Sequence, residues 1–228
     1  NQSISAMKIE LNKTIDHTNL KANAVLEDFI KLCDEAILYD FKSVCVPPFW
    51  VEFCADRLRG TNVLVCTVVG FPLGYATCQT KLYEVKNAME NGADEIDVVV
   101  NISAIKSNMW DDVEDEIQLI SMFVKNKSKL LKVIFETAYL TDDEIIKLCE
   151  ICSRWGVSFV KTSTGFGPSG ASIEHVKLMK SNINVGMKVK ASGGIRNYED
   201  AAAMIAAGAE RIGTSSGMVI IQEFKSQL

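Results

Sequence analysis

Eight short runs rich in β-branched residues recur along the 228 residues, separated by longer stretches with apolar residues three and four apart. Such alternation builds parallel strands joined by helical crossovers, because a period of two changes to a period near 3.6 at each boundary. The spacing predicts strands over 14–18, 43–46, 63–69, 95–101, 131–137, 158–163, 188–192 and 211–214. Eight such units in about 200 to 250 residues fit a closed (β/α)8 barrel better than an open doubly wound sheet. The fold class is therefore α/β.

The intervening segments carry helical signals of their own. Leu26, Phe29, Ile30, Cys33 and Ile37 share one face of a first helix, and Ile145, Leu148, Cys149 and Cys152 share one face of a later one. Thr141 and Glu144 form a capping-box pattern, in which each side chain accepts from a backbone N–H left orphaned at a helix start. Gly92, Gly156 and Gly208 stand where helices should stop. Over 108–124, Trp110, Val113, Ile117, Ile120 and Phe123 share one face opposite acidic residues, so this segment packs outside the sheet. No linker divides the chain, which reads as one domain over 1–228. Residues 1–6 precede Met7 and read as a cloning remnant.

Composition narrows the function classes. A formal charge of -5 with scattered lysines argues against nucleic-acid partners, which need clustered cations. Neither a basic-then-apolar start nor an apolar run near the roughly 18 residues of a membrane helix is present, so no membrane partner is expected. The seven cysteines, at 33, 45, 54, 66, 78, 149 and 152, fall mostly inside apolar segments. That usage points to a reducing, cytoplasmic setting. Cys149 and Cys152 form a lone CxxC within a helical pattern and read as small buried hydrophobes, not zinc ligands.

In a barrel of this kind the site lies at the C-terminal ends of the strands. Lys161 ends the run Ser158-Phe-Val-Lys161 and Lys190 ends Lys188-Val-Lys190, where a purely structural strand would carry Val or Ile. A buried ammonium is costly, so a lysine there either reaches out to water or is kept neutral for use. An amine attacks a carbonyl only without its proton, and the free side chain titrates near about 10.4. A neighbouring cation opposes protonation, so two lysines at matching strand ends suit imine formation on one of them. Lys188 shares the parity of Lys190 and is placed deeper or at the opposite mouth. Asp97 lies in an apolar run, fitting either a loop-holding carboxylate or one that relays protons through water. Asp16 is placed to orient a substrate hydroxyl or Lys190, while His17 and His175 read as structural and surface residues.

Glycine-rich loops follow the sixth, seventh and eighth predicted strands, at Gly165 and Gly167, at Gly193 and Gly194, and at Gly213 and Gly217. Glycine lets backbone N–H groups approach an anion closely, and barrel phosphate sites are commonly built from the last two of these loops. No phosphate-binding GxxxxGK[ST], nucleophile elbow or HExxH motif occurs.

At these residues the chain resembles the deoxyribose-phosphate aldolase family over nearly its whole length. The matching segments are Ile15-Asp-His-Thr18, Ser43-Val-Cys-Val-Pro47, Val69-Gly-Phe-Pro-Leu-Gly74, Gly92-Ala-Asp-Glu-Ile-Asp-Val-Val-Val-Asn101, Val160-Lys-Thr-Ser-Thr-Gly-Phe166, Val189-Lys-Ala-Ser-Gly-Gly-Ile-Arg196 and Gly213-Thr-Ser-Ser216. The resemblance implies a class I lyase that reversibly cleaves 2-deoxy-D-ribose 5-phosphate to acetaldehyde and D-glyceraldehyde 3-phosphate, without metal or organic cofactor. It implies Lys161 as the Schiff-base lysine, Lys190 as the lysine that lowers its proton affinity, and Asp97 as the proton relay. Asp16 and Thr18 are implied at the substrate, with Gly165, Gly193, Gly194, Ser215 and Ser216 at its phosphate. A homodimer is implied as well. Some members carry a lysine where this chain has Phe166, which shifts phosphate recognition here towards backbone N–H groups.

Two other readings fit parts of the pattern. A transaldolase-like or other class I barrel aldolase would share the lysine chemistry but act on a longer ketose phosphate. A catalytically silent sugar-phosphate barrel would share only the anion loops, and would have little reason to bury two amines together.

Overall fold

A computed structural model of the protein describes residues 11–228, so the reading of residues 1–6 as a remnant lies outside the described residues. Eight strands close into a barrel in sequence order, every neighbouring pair parallel, including β1 with β8. They are β1 (Ile15–Thr18), β2 (Ser43–Val46), β3 (Leu64–Val69), β4 (Glu95–Val99), β5 (Leu130–Ile134), β6 (Phe159–Lys161), β7 (Lys188–Ser192) and β8 (Ala209–Thr214). Around them lie α1 (Leu26–Leu38), α2 (Val51–Arg57), α3 (Cys78–Glu90), α4 (Ile102–Lys106), α5 (Trp110–Asn126), α6 (Asp142–Arg154), α7 (Ile173–Ser181), α8 (Tyr198–Ala207) and α9 (Gly217–Ser226).

Strand alternation splits the side chains into two environments. Outward residues such as Val44, Val65, Ile96, Val133, Val160, Val189 and Ile212 are buried against the helices in one continuous core. Each such side chain contributes roughly 1.5–3 kcal/mol on burial, so this outer shell holds the fold together. The inward apolar set is small, with Cys45, Cys66 and Val68 packed beside Leu20 and Phe71. Many of the other inward positions carry charge.

All eight predicted strands form, with local adjustments at their ends. β5 stops at Ile134, because Glu136 turns left-handed at φ 54 and a 3-10 turn follows over Thr137–Tyr139. β4 stops at Val99, and Asn101 instead caps α4 by accepting from the Ala104 N–H at 3.0 Å. β8 starts two residues earlier than predicted, directly after Gly208 ends α8 at φ 121. Both halves of the Thr141–Glu144 capping box are present, at 3.2 and 2.8 Å. Cys149 and Cys152 are buried free thiols, as are four of the other five cysteines, Cys78 being half-buried. Among the described residues no helix is long and apolar enough to cross a membrane.

Candidate active site

The inward positions of six strands converge on one buried cluster of charge. Asp16 on β1, Glu95 and Asp97 on β4, Lys132 on β5, Lys161 on β6, Lys190 on β7 and Arg211 on β8 are each no more than 3% exposed. Register explains the meeting, since Asp97 pairs with Lys132, Lys161 with Lys190, and Lys190 with Arg211. Alternation then turns all of them towards the barrel axis.

Asp97 is the hub. Its Oδ2 accepts from Lys161 Nζ at 3.0 Å and from Lys190 Nζ at 2.8 Å, and its Oδ1 from Lys132 Nζ at 2.8 Å. Asp16 accepts from Lys190 at 2.6 Å, from Arg211 at 2.9 Å and from the Ser43 hydroxyl at 2.6 Å. Glu95 holds Lys132 at 2.7 Å and also accepts from Arg211. The Phe159 ring lies 4.8 Å from the Arg211 guanidinium and 6.0 Å from Lys132 Nζ, within the favourable range for a cation over an aromatic face.

Burial would push the Asp16 and Asp97 carboxyls up, but the surrounding cations win and both lie well below the usual carboxylate range. For Asp16 those cations are Lys132, Lys190 and Arg211; for Asp97 they are Lys132, Lys161 and Lys190. Burial likewise opposes charge on Lys190 and Lys132, yet Asp16 and Asp97 raise both above the ordinary lysine range. These two amines are fixed ammoniums. Cys45 is lowered to about 7, chiefly by its hydrogen bond with Cys66. Ligand atoms of Cys45, Cys66 and Asp97 lie within 4.8 Å of one another, but the Lys132 and Lys190 ammoniums already hold the carboxylate and oppose a metal cation there.

Above the cluster opens a cavity of about 800 Å³ at the C-terminal ends of the strands. Lys161 is the one member of the cluster that lines it. Thr18 lines it too, its hydroxyl donating to the Asp16 carbonyl at 2.8 Å. Asp16, Asp97 and Lys190 sit beneath its floor, so Asp16 meets Lys190 and does not face the cavity. Gly165, Gly193, Gly194, Ser215 and Ser216 form the far wall, where α9 begins. The amides of Gly165, Gly193, Gly194 and Ser215 have no acceptor among the described residues, whereas Ser216 N donates to Thr214 Oγ1. Gly193 must be glycine, since at φ 87 an added Cβ would meet Gly170 Cα at 2.9 Å. Phe166 stands half open at the rim, edge-on to Phe71 with ring centroids 5.5 Å apart. Its amide is already bonded to Thr164 Oγ1 at 3.0 Å.

With that geometry established, comparison with known proteins identifies the chain. Residues 9–223 match the DeoC/LacD family of aldolases. The chain belongs to the DeoC/LacD aldolase family. It is 52% identical to the deoxyribose-phosphate aldolase of Caldanaerobacter subterraneus subsp. tengcongensis over 96% of this chain and 95% of that protein. It is also 52% identical to the deoxyribose-phosphate aldolase of Lactococcus lactis subsp. lactis, over 96% and 98%. The solved tetrameric deoxyribose phosphate aldolase of Aeropyrum pernix superposes with a TM-score of 0.88 at 33% identity, covering 100% of this chain and 99% of that one. A solved aldolase designated QR15 gives 0.89 at 42%, covering 96% and 97%.

For a DeoC/LacD aldolase, the site holds more charge than strand-end reasoning found. Lys132, Glu95 and Arg211 were missed, although Lys132 sits in Leu130-Leu-Lys-Val-Ile134 and breaks an apolar run just as Lys161 does. Lys188 lies at the opposite mouth, exposed, with Nζ 5.9 Å from the Phe159 ring. His17 borders the cavity and is bonded through Nε2 to Glu35 at 2.8 Å, with Nδ1 buried and unpartnered among the described residues. His175 is half-buried on α7.

Proposed function

We propose that this aldolase reversibly cleaves 2-deoxy-D-ribose 5-phosphate to D-glyceraldehyde 3-phosphate and acetaldehyde through a Schiff base on Lys161. The observation that carries the reading is the position of Lys161, 3% exposed yet lining the cavity, on the same carboxylate oxygen as the fixed ammonium of Lys190. The neutral amine adds to the C1 aldehyde, and loss of water gives the imine. The C3 hydroxyl then loses its proton, the C2–C3 bond breaks, and its electron pair moves into the imine to form an enamine. Protonation of the enamine and hydrolysis release acetaldehyde. Asp97 serves as the proton relay through water, holding a proton only in passing because its cations keep it a weak base.

Lys190 is the cation that disfavours a proton on Lys161, and Asp16 holds Lys190 in place. Thr18 offers its hydroxyl oxygen to a substrate hydroxyl. The phosphate lies against the free amides of Gly165, Gly193, Gly194 and Ser215, with Ser216 and the α9 N-terminus adding a favourable dipole. No metal or organic cofactor enters any of these steps. The free thiols favour a cytoplasmic location. Family resemblance favours a homodimer, with a tetramer described for the Aeropyrum pernix protein.

Borohydride reduction in the presence of acetaldehyde, followed by mass-spectrometric mapping, tests the reading. An ethyl group on Lys161 is the expected result. Trapping only with dihydroxyacetone or pyruvate would favour a transaldolase-like enzyme, and sugar-phosphate binding with no adduct would leave a silent barrel.

A further inference from the structure

Seven ionisable side chains form one contiguous buried unit, and their charges can be counted. Asp16, Glu95 and Asp97 supply three negative charges, while Lys132, Lys190 and Arg211 supply three positive ones without Lys161. With Lys161 unprotonated the unit is neutral; with it protonated the unit carries one excess positive charge in an interior that meets the cavity only at Lys161. Interiors of low dielectric penalise net charge far more than water does. We propose that the whole cluster, and not Lys190 alone, keeps Lys161 unprotonated, with Lys132 and Glu95 as a second pair that sets the balance from below. This rests on the Schiff-base reading above and extends it to residues that never touch substrate.

Lys132 is suited to the role because it is a fixed cation on the far oxygen of the same carboxylate. It reaches Asp97 Oδ1 while Lys161 holds Oδ2, so the two amines compete for one anion. Other strands add little to the count. Cys66 on β3 is raised by burial and stays neutral, Cys45 on β2 is lowered to about 7, and burial lowers the His17 imidazole on β1 from its ordinary value. On the solvent side Lys21, Asp28, Lys31 and Arg196 are exposed and screened by water. Glu35 is engaged by His17, and Glu136 accepts from the Thr164 amide.

The count makes signed predictions for three variants. Lys132→Met leaves one negative charge in excess, so Lys161 retains its proton to higher pH. Glu95→Gln does the opposite. Lys132→Met combined with Glu95→Gln removes both partners of the 2.7 Å pair and restores balance. Cys45 is common to all three and drops out of the comparison.

The test is the pH midpoint of cyanoborohydride trapping of acetaldehyde on Lys161, quantified by mass, alongside kcat and KM for cleavage. Lys132→Met should raise the midpoint by about 1–3 pH units, Glu95→Gln should lower it, and the double variant should return it towards the parent value. KM should change less than kcat at neutral pH. An unmoved midpoint in Lys132→Met, or a double variant shifted as far as that single one, would overturn the proposal. If Lys132→Met does not fold, Glu95→Gln decides alone, an unmoved or raised midpoint overturning it. Absence of any adduct in the parent protein would instead remove the Schiff-base reading itself.

Discussion

Lys161 and Lys190 meet on a single atom, donating to Asp97 Oδ2 from 3.0 and 2.8 Å. Two ammoniums on one oxygen would repel each other, and the two amines differ in how many carboxylates hold them. Lys190 also has Asp16 at 2.6 Å; Lys161 has Asp97 alone and faces the cavity.

Replacing Lys190 with leucine should therefore act in two ways. The pH midpoint of acetaldehyde trapping on Lys161 should move upward, because a neighbouring cation is lost. Stability should fall by about 3–5 kcal/mol, since Asp16 loses its shortest lysine contact. Adduct yield across pH and urea midpoints check both.

Asp97→Asn should cost stability as well, again about 3–5 kcal/mol, because the buried Lys132 and Lys190 ammoniums lose their shared anion and the Lys161 amine its acceptor. Cleavage should fall further than stability explains. A general acid–base role is worth about 10²–10⁴-fold in kcat, which single-turnover kinetics on the folded fraction would read.

Phe166→Lys should add a cation at the rim without touching the cluster. The KM for the phosphorylated sugar should drop several-fold, by less than about tenfold for a half-exposed charge, and the gain should fade with added salt. Trapping of acetaldehyde on Lys161 should not change. A loss of phosphorylated-substrate preference would contradict the assigned phosphate wall.

Acid should unfold the protein through the same network. Asp16, Asp97 and Glu95 all titrate lower in the fold than their ordinary values of 3.8, 3.8 and 4.5. Carboxyls depressed in this way stabilise the fold fully above those values, and the contribution is lost as pH falls through and below them. Urea midpoints should thus be flat from pH 7 to about 5 and drop steeply below about 4. Asp97→Asn should show a shallower acid limb.

Much of this architecture was legible from local pattern alone. β-Branched runs located all eight strands because outward strand faces are continuously buried against helices, and Thr141 and Gly208 marked helix ends by backbone chemistry that needs no tertiary partner. Lys161 and Lys190 stood out because charge closing an apolar run is costly, and Asp97 because it interrupts one. Arg211 and Glu95 did not, since their partners lie 116 residues apart in the chain and only closure of the barrel brings them together. Lys132 interrupts an apolar run as Asp97 does, but a lysine there reads equally as one whose long side chain reaches out to water. The end of β5 depended on the left-handed turn at Glu136, and glutamate gives no local sign of that conformation.

Closure of the barrel also decides when the buried charge cluster assembles. Asp16 on the first strand is held by Arg211 on the last, 195 residues away, and by Lys190 across 174. A chain still lacking its eighth strand lacks Arg211 and the edge that joins the first strand to the seventh, so its inner charges meet water in place of one another. The last strand to be made thus completes the setting of a carboxylate on the first.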